Sequence, residues 1–346
     1  MPDAVPGAVA DEVPRTAAAA LRWATSRLGA AGVPSPRVDA EALLAHALGV
    51  DRAEARRLAV LDRALPDGAG DRFAADVARR AAREPLQHLT GVAPFRHLEL
   101  AVGPGVFVPR PETEQVAQVA IDEAARVVAR KGTAVVVDLC TGSGAIALAV
   151  ATEVPGARVH AVELDAAAHG WASRNVAAAT GDRPDAVVHL LRGDARTALR
   201  ELDGTVDVVV SNPPYVPPGA VPRDPEVADH DPAVALYGLG DDGLEVPRGV
   251  TAAAARLLRP GGLYVMEHAE VQAAAACAMV AGTTVGTTVG TTVGTTVGTA
   301  GFGPVSTRDD LTGRPRMVVA RRSDRAPERP SPHPDVRPAA GRTVTD

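Results

Sequence analysis

The chain has 346 residues, which is enough for one large domain or two unequal ones. Its formal net charge of −6 disfavours a protein that grips nucleic acid mainly through phosphates. Its two cysteines, Cys140 and Cys277, are too few for a disulfide framework or a cysteine-rich metal site. No signal peptide and no run of about 18 apolar residues is visible, so we expect a cytoplasmic protein without a membrane span or a metal.

The N-terminal part of the sequence predicts a tail and a helical bundle. Residues 1–15 are rich in proline, alanine and acidic side chains, which indicates a disordered tail. Over residues 16–85, apolar side chains recur at three- and four-residue spacing, which predicts about four helices with Thr16 as the cap of the first. Such a bundle is either a structural cap or a module that docks a partner.

Residues 86–110 have a different pattern. Two short apolar runs, 97–102 and 106–108, lie on either side of Gly103-Pro104-Gly105. Extended runs around a Gly-Pro-Gly turn predict a β-hairpin. We expect this hairpin to link the bundle to the domain that follows.

From residue 111 to residue 321, apolar β-branched runs alternate with alanine-rich helical patterns. This alternation is typical of a parallel sheet with helices on both faces. The last strand is expected to be antiparallel and to pair with a strand near 302–306. The predicted strands are 134–138, 158–163, 187–191, 206–210, 262–267 and 317–320.

Two segments do not fit this plan. Residues 282–298 contain the tetrad Gly-Thr-Thr-Val four times in tandem, and a glycine at every fourth position opposes both helix and strand packing. We expect a low-complexity surface loop there. Residues 322–346 are rich in proline and in charges of alternating sign, which predicts a disordered tail.

A glycine-rich loop follows the first strand of this domain. Glycines at that place let backbone N–H groups approach a ligand and begin a helix at its edge. Glu163 ends the next strand, about 20 residues on, where a carboxylate accepts both ribose hydroxyls of a nucleoside cofactor. The alternative is a tight structural turn. The candidate cofactor-binding residues of the loop are Cys140, Thr141, Gly142, Ser143 and Gly144.

Two details favour S-adenosylmethionine over NAD as the cofactor. The third glycine of the dinucleotide fingerprint is missing after Gly144. In addition, Asp194 closes the third strand beside Ala195, where a carboxylate accepts from an adenine amino group. Asp194 is therefore a candidate cofactor residue. The alternative role of Asp194 is to cap a helix that starts at Ala195.

The fourth strand leads directly into Asn212-Pro213-Pro214-Tyr215. The two prolines fix the backbone and leave the Pro213 carbonyl free to face a ligand, beside the acceptor oxygen of the Asn212 side chain. Two acceptors side by side match the two hydrogens of an –NH₂ group, and Tyr215 can stack on a planar amide or base. We expect these four residues to bind the methyl acceptor and catalyse transfer, with Asn212 also close to the cofactor.

An Asn-Pro-Pro-Tyr site suits either the exocyclic amine of adenine or the side-chain amide of glutamine. The flanking sequence separates the two. Residues 83–91 read Arg-Glu-Pro-Leu-Gln-His-Leu-Thr-Gly and residues 109–114 read Pro-Arg-Pro-Glu-Thr-Glu. This pair of motifs, ahead of the methyltransferase core, resembles the family that methylates the glutamine of peptide chain release factors (PrmC/HemK). The resemblance extends over about 16–281 and 301–321.

The resemblance implies a class I S-adenosylmethionine-dependent methyltransferase with a Rossmann-like seven-stranded sheet, helices on both faces and an N-terminal helical domain that docks the release factor. It implies N5-methylation of the glutamine in the Gly-Gly-Gln motif of class 1 release factors, by a monomer that does not bind nucleic acid directly. By position, Cys140 to Gly144 resemble the cofactor loop, Glu163 the ribose ligand, Asp194-Ala195 the adenine site and Asn212 to Tyr215 the glutamine clamp. The segment from Pro109 to Glu112 would lie beside the cofactor, unless Arg110 and Glu112 form a salt-bridged hinge.

This sequence departs from the family pattern at three places. Cys140 replaces the more usual glycine of the loop, Glu163 stands where Asp is common, and Asp231-Pro232 stands where Glu-Pro is frequent. None of these removes a chemical group that methyl transfer needs. The remaining alternatives are a ribosomal-protein glutamine methyltransferase, an adenine-N6 nucleic-acid methyltransferase and a chain that binds without catalysis.

Overall fold

The computed structural model describes residues 14–181, 183–285 and 300–323. The predictions for the N-terminal tail before residue 14, for the part of the 282–298 repeat that starts at residue 286 and for the tail from residue 324 lie outside the described residues. The remainder forms a helical bundle, a short hairpin and an α/β domain. No helix in these three ranges is both long enough and apolar enough to cross a membrane.

The N-terminal bundle contains the helices that the apolar spacing predicts. They pack around a common apolar cluster that includes Leu21, Leu43 and Phe73. Thr16 occupies the cap position of the first helix but makes no side-chain capping bond, whereas Asp51 caps the third by accepting from Glu54 N at 2.8 Å. The helices are α1 (Ala17–Ala30), α2 (Pro36–Leu48), α3 (Arg52–Val60), α4 (Ala69–Ala81) and the short α5 (Leu86–Thr90).

A hairpin follows the bundle, but its turn is not at Gly103-Pro104-Gly105, so that prediction was wrong. Strands β1 (Val92–Phe95) and β2 (Leu98–Ala101) pair antiparallel around Arg96-His97. Gly103 instead lies against Trp171, since a β-carbon at position 103 would be 2.5 Å from the indole. The indole N–H also donates to the Pro104 carbonyl at 3.2 Å. The glycine therefore serves a close approach to a helix rather than a turn.

The α/β domain alternates helices and strands, as predicted. Its helices are α6 (Thr113–Lys131), α7 (Ala145–Glu153), α8 (Ala166–Thr180), α9 (Pro225–His230), α10 (Ala233–Leu236), α11 (Glu245–Leu257) and α12 (Ala273–Gly282). Its strands are β3 (Ala134–Leu139), β4 (Ala157–Glu163), β5 (Val187–Arg192), β6 (Val206–Ser211), β7 (Leu258–Glu267), β8 (Thr284–Val285), β9 (Ala300–Gly301), β10 (Ser306–Asp309) and β11 (Pro315–Arg321).

Seven of these strands form one sheet in the order β10-β11-β7-β6-β3-β4-β5. Strands β3 to β7 are parallel, and β11 and β10 are antiparallel at one edge, which confirms the predicted antiparallel last strand. β11 pairs with β7 on one side and with β10 on the other, and β10 begins at Ser306, at the far end of the range expected for the partner strand. Phe302 forms only an isolated bridge with Arg322. β8 and β9 pair with each other on either side of residues 286–299.

The sheet is parallel because its central strands can be buried on both faces. Every residue of β6 is buried, and β-branched valines dominate β3 and β6. Helices α6 and α7 cover one face, and α11 and α12 cover the other. Asp207 is the exception among these valines. Its carboxylate accepts from Val135 N, Lys131 Nζ and Arg259 Nε at 2.6 to 2.8 Å, which compensates for its burial.

The strand register brings the ends of four parallel strands to one edge. Leu139 pairs with Val162 on one side and with Ser211 on the other, and Ser211 pairs with Met266. The loops that leave β3, β4, β6 and β7 therefore start side by side. In open parallel sheets this edge is where ligands bind.

Candidate active site

A cavity of about 1000 Å³ lies at this edge, between the sheet and the N-terminal bundle. Ten of the twelve candidate residues line it, and Gly144 and Pro213 do not. Pro213 is buried, and Gly144 is the N-cap of α7. The ten that line it are Cys140, Thr141, Gly142, Ser143, Glu163, Asp194, Ala195, Asn212, Pro214 and Tyr215.

The glycine-rich loop owes its shape to Asp138, the fifth residue of β3. Asp138 is fully buried, and its Oδ2 accepts from the Thr141 hydroxyl at 2.6 Å and from Ala147 N at 3.1 Å. Burial raises the pKa of Asp138 to about 7. Cys140 has a φ of +64°, a conformation that favours glycine. The departure from the family pattern therefore occurs at a strained backbone position.

Glu163 joins the loop to the end of β4. Its Oε2 accepts from Gly142 N and its Oε1 accepts from Asp165 N, both at 2.8 Å. Burial raises the pKa of this carboxyl, and the two backbone bonds oppose that shift. A β-carbon at position 142 would meet nothing within 4 Å, so Gly142 faces open space. Because a carboxylate has about four lone-pair sites, Glu163 retains acceptor capacity towards the cavity.

Asp194 lines the cavity, and the helix that it would have capped in the alternative is not formed, because residues 195–197 form a turn. Within this turn its Oδ1 accepts from Arg196 N at 2.9 Å. The Arg196 guanidinium pairs with both carboxylate oxygens, and this hydrogen bonding lowers the pKa of Asp194. A ligand donor at Asp194 would therefore share its oxygens with Arg196.

Asn212 begins the loop after β6. Its Nδ2 donates to Thr113 Oγ1 at 3.3 Å, so its Oδ1 takes no part in that bond and remains available as an acceptor. Thr113 is buried and belongs to the Pro-Glu-Thr motif at the start of α6. The motif near residue 110 therefore contacts the site through a threonine that the sequence did not single out.

Tyr215 is held at both its ends. Its hydroxyl donates to Glu267 Oε1 at 3.4 Å, and its backbone carbonyl accepts from Gln272 Nε2 at 2.9 Å. Burial raises the pKa of the phenol, which keeps it protonated at neutral pH. Glu267 and Gln272 were also missed by sequence reasoning. The sequence feature that could have identified Glu267 is a carboxylate at the end of an apolar strand.

Two glycines outside the predicted site hold the same loop. A β-carbon at position 238 would lie 2.7 Å from the Pro214 carbonyl oxygen, and one at 243 would lie 2.5 Å from the Tyr215 carbonyl oxygen. Such contacts are too short for any side chain, so Gly238 and Gly243 permit the loop to pack against Pro214 and Tyr215.

Ion pairs tie the chain after Tyr215 to the rest of the molecule. Arg110 donates to Asp231 Oδ2 at 2.6 Å, so the salt bridge considered for Arg110 does form, with a partner in the loop after α9. Arg80 and Arg83 of the N-terminal bundle reach Glu226 of α9 at 2.8 and 2.6 Å. The hydrogen bonds from these arginines lower the pKa of Glu226 to about 2 against the effect of burial, which raises it.

Sequence comparisons identify relatives of both parts of the chain. Residues 19–91 match the PrmC N-terminal domain family and residues 111–224 the methyltransferase small domain family. A release factor glutamine methyltransferase of Streptomyces coelicolor is 48% identical, over 88% of this chain and 98% of its own length. One of Mycolicibacterium smegmatis is 48% identical, over 89% of this chain and 98% of its own length.

Two further comparisons extend this picture. A 4-amino-L-phenylalanine/4-methylamino-L-phenylalanine methyltransferase of Streptomyces pristinaespiralis is 43% identical, over 78% of this chain and 88% of its own length. The solved structure of a T. thermophilus 16S rRNA N2 G1207 methyltransferase with AdoMet and guanosine aligns with a TM-score of 0.41 and 21% identity, over 66% of this chain and 49% of that one. That structure is too distant for a comparison of sites.

We predict that Gly243→Ala destabilises the protein more than Gly132→Ala does. Both glycines have a positive φ, of +73° and +81°, but a β-carbon at position 132 meets nothing within 4 Å. The control variant should lose only the conformational term of about 1 kcal/mol. Gly243→Ala must also displace the Tyr215 carbonyl and should lose about 2–4 kcal/mol. Urea denaturation measures both, and equal losses would contradict the close packing of this loop.

Proposed function

We propose, since the chain belongs to the release factor glutamine methyltransferase family, that it methylates the side-chain amide nitrogen N5 of the glutamine in the Gly-Gly-Gln motif of class 1 release factors. The cofactor is S-adenosylmethionine, and the α/β domain has the fold of class I methyltransferases that use it. The observation that carries the proposal is the Asn212 amide, which Thr113 orients with its oxygen free at a cavity between the two parts of the chain.

The cavity fits the cofactor that the family uses. Gly142 borders the cavity with open space where a side chain would stand, and Glu163 presents a carboxylate in the same lining. We assign the ribose hydroxyls to Glu163, the adenine amino group to Asp194 and Ala195, and the remaining contacts to Cys140, Thr141 and the loop as far as Gly144. Asn212 borders both the cofactor and the acceptor.

The acceptor nitrogen has to be made nucleophilic, because an amide lone pair is delocalised into its carbonyl. Asn212 Oδ1 accepts one N–H of the acceptor amide, and we assign the second N–H to the Pro213 carbonyl. These bonds raise electron density on the nitrogen and orient it, while Tyr215 packs on the amide plane. When bound, S-adenosylmethionine would supply the methyl group on a positively charged sulphur, which would keep the S–CH₃ electron pair. Asn212 and Pro213 would hold the acceptor nitrogen, which would lose one proton to water as the N–CH₃ bond forms.

The proposed substrate also explains the two-part architecture. Pro34, Ser35 and Arg83 of the N-terminal bundle line the same cavity as Asn212. A protein loop that reaches Asn212 would therefore touch the bundle on its way. We propose that residues 16–85 dock the release factor, that 86–110 link the two parts, and that the protein acts as a cytoplasmic monomer without direct contact to nucleic acid.

A transfer assay with three acceptors tests the proposed function. The protein is mixed with labelled S-adenosylmethionine and a class 1 release factor, the same factor with its Gly-Gly-Gln glutamine changed to alanine, or 4-amino-L-phenylalanine. We expect label on the first acceptor only. Label on 4-amino-L-phenylalanine alone would favour the activity named for the Streptomyces pristinaespiralis relative, and label on the alanine factor would contradict glutamine as the acceptor.

We predict that Asn212→Ala retains cofactor binding but loses turnover. Removing one positioned acceptor for the reacting group should lower kcat by about 100-fold or more. Calorimetry should give a Kd for S-adenosylmethionine within about threefold of wild type, since that change is below 1 kcal/mol. A variant that methylates at nearly the wild-type rate would refute the two-acceptor account.

We predict that Glu163→Gln weakens cofactor binding. The substitution keeps the length of the side chain but removes the charge that receives the ribose hydroxyls, so the Kd for S-adenosylmethionine should rise by about 10-fold or more. Glu99→Gln is the matched control, because Glu99 is exposed on β2 and does not line the cavity. If both variants bind the cofactor as wild type does, Glu163 is not a ribose ligand.

A further inference from the structure

Glu267 is a buried carboxyl at the heart of the candidate site that methyl transfer as described above does not use. Only 2% of its surface is exposed, and it ends β7 immediately after Met266. Because Met266 pairs with Ser211 of β6, the next residues, Glu267 and Asn212, leave the sheet side by side. Burial of a carboxyl is costly unless partners compensate for it, so its contacts indicate what it does.

Two groups of the acceptor site converge on this carboxyl. The Tyr215 hydroxyl donates to Oε1 at 3.4 Å, and the Thr113 hydroxyl faces the same carboxyl and lowers its pKa. Thr113 Oγ1 in turn accepts from Asn212 Nδ2 at 3.3 Å. Glu267 therefore contacts Tyr215 directly and Asn212 through one intervening hydroxyl. The other carboxyl oxygen, Oε2, has no hydrogen-bond partner among the described residues.

The chemistry of these groups fixes the direction of each bond. An ionised carboxylate only accepts hydrogen bonds, so both hydroxyls must donate to it. The Thr113 oxygen is then left to accept from the Asn212 –NH₂ group. This orientation turns Asn212 Oδ1 towards the cavity. With the amide reversed, Asn212 would present N–H groups to the N–H groups of the acceptor, and the two would repel.

We propose that Glu267 is a positioning residue for the methyl acceptor, which sets the orientation of the Asn212 amide through Thr113 and holds the Tyr215 ring directly. What Asn212 and Tyr215 bind rests on the proposed function, but the orientation of Asn212 does not. Gln272, five residues after Glu267, also holds the backbone of Tyr215. Its amide donates to the backbone carbonyls of Tyr215 and Asp242 at 2.9 and 3.0 Å.

The groups around Glu267 set the pKa of its carboxyl near neutral pH. Burial raises its pKa to about 7, while the hydrogen bonds from Thr113 and Tyr215 and the charge of Arg316 on β11 oppose the shift. Glu112 at the start of α6 is the like charge that adds to it. Arg316 is itself paired with Asp310 at 3.1 Å. Below this pKa the carboxyl becomes a donor, and the fixed direction of the Thr113 bond is lost.

A measurement on the two asparagines tests the proposal without reference to activity. Asn175 and Asn212 are the only asparagines of the sequence, so selective ¹⁵N-asparagine labelling of the full chain gives two side-chain –NH₂ signals. Asn175 is an internal control, because it bonds to Ala101 and Ser143. We expect the Asn212 signal to shift between about pH 6 and about pH 8 with a midpoint near the raised pKa, and the Asn175 signal to stay in place.

Three variants separate positioning from mere structure. Glu267→Gln keeps the shape but cannot ionise, and Thr113→Val keeps the carboxyl but breaks its connection to Asn212. Both should abolish the pH-dependent shift of Asn212, and Thr113→Ser should retain it. With a release factor as the acceptor, Glu267→Gln and Thr113→Val should each lower kcat by about tenfold or more. Each should leave the Kd for S-adenosylmethionine within about threefold of wild type. If Glu267→Gln does not fold, the Thr113 pair still decides the question.

The possible outcomes are distinct. An Asn212 signal that does not move in the wild-type protein, or that moves equally in Glu267→Gln and Thr113→Val, overturns the proposal. The second result would point to Asp138, whose pKa is also about 7. If the Asn212 shift behaves as expected but no release factor is labelled, the proposed substrate is wrong and the positioning role stands. A loss of cofactor binding in Glu267→Gln would make Glu267 a structural residue and overturn the proposal.

Discussion

The register of the parallel strands is the constraint on which the rest of the structure depends. Leu139, Val162, Ser211 and Met266 lie at one level of the sheet, so the chain leaves four adjacent strands at the same edge. The residues that follow contribute the glycine-rich loop, Glu163, the Asn-Pro-Pro-Tyr loop and the buried Glu267, and we propose the first three as ligands of the cofactor and the acceptor. A slip of one residue in any pair would exchange the faces of that strand, because successive side chains point to opposite faces.

The buried carboxyls at this edge of the sheet are held by hydrogen bonds from side chains outside the strands. Asp138 and Glu267 are both buried strand carboxyls, and each accepts a hydrogen bond from a hydroxyl of a nearby loop: from Thr141 at 2.6 Å and from Tyr215 at 3.4 Å. A low-dielectric surrounding makes such bonds strong and an unpartnered oxygen costly. The two carboxyls thus stiffen the glycine-rich loop and the Asn-Pro-Pro-Tyr loop by the same physical means.

The segment after Tyr215 joins the two parts of the molecule. Gly238 and Gly243 let it pack against the acceptor loop, and Glu226 and Asp231 bind arginines of the bundle and of the linker. This arrangement closes one side of the cavity with residues of both parts. The relatives include one named for an amino acid and not for a release factor. Chains related to this one are therefore named for more than one methyl acceptor.

The sequence by itself determined the class of fold, the cofactor and the family. Valine runs that can be buried on both faces imply a parallel sheet, and the Asn-Pro-Pro-Tyr loop and glycine loop are local in sequence, so their residues could be named in advance. Tertiary structure alone decided which distant side chains support them. Thr113, Glu267 and Gln272 reach Asn212 and Tyr215 across 52 to 99 positions of chain. The turn expected at Gly103 was wrong for the same reason, because a glycine needed for contact with Trp171 cannot be distinguished by sequence from one needed for a turn.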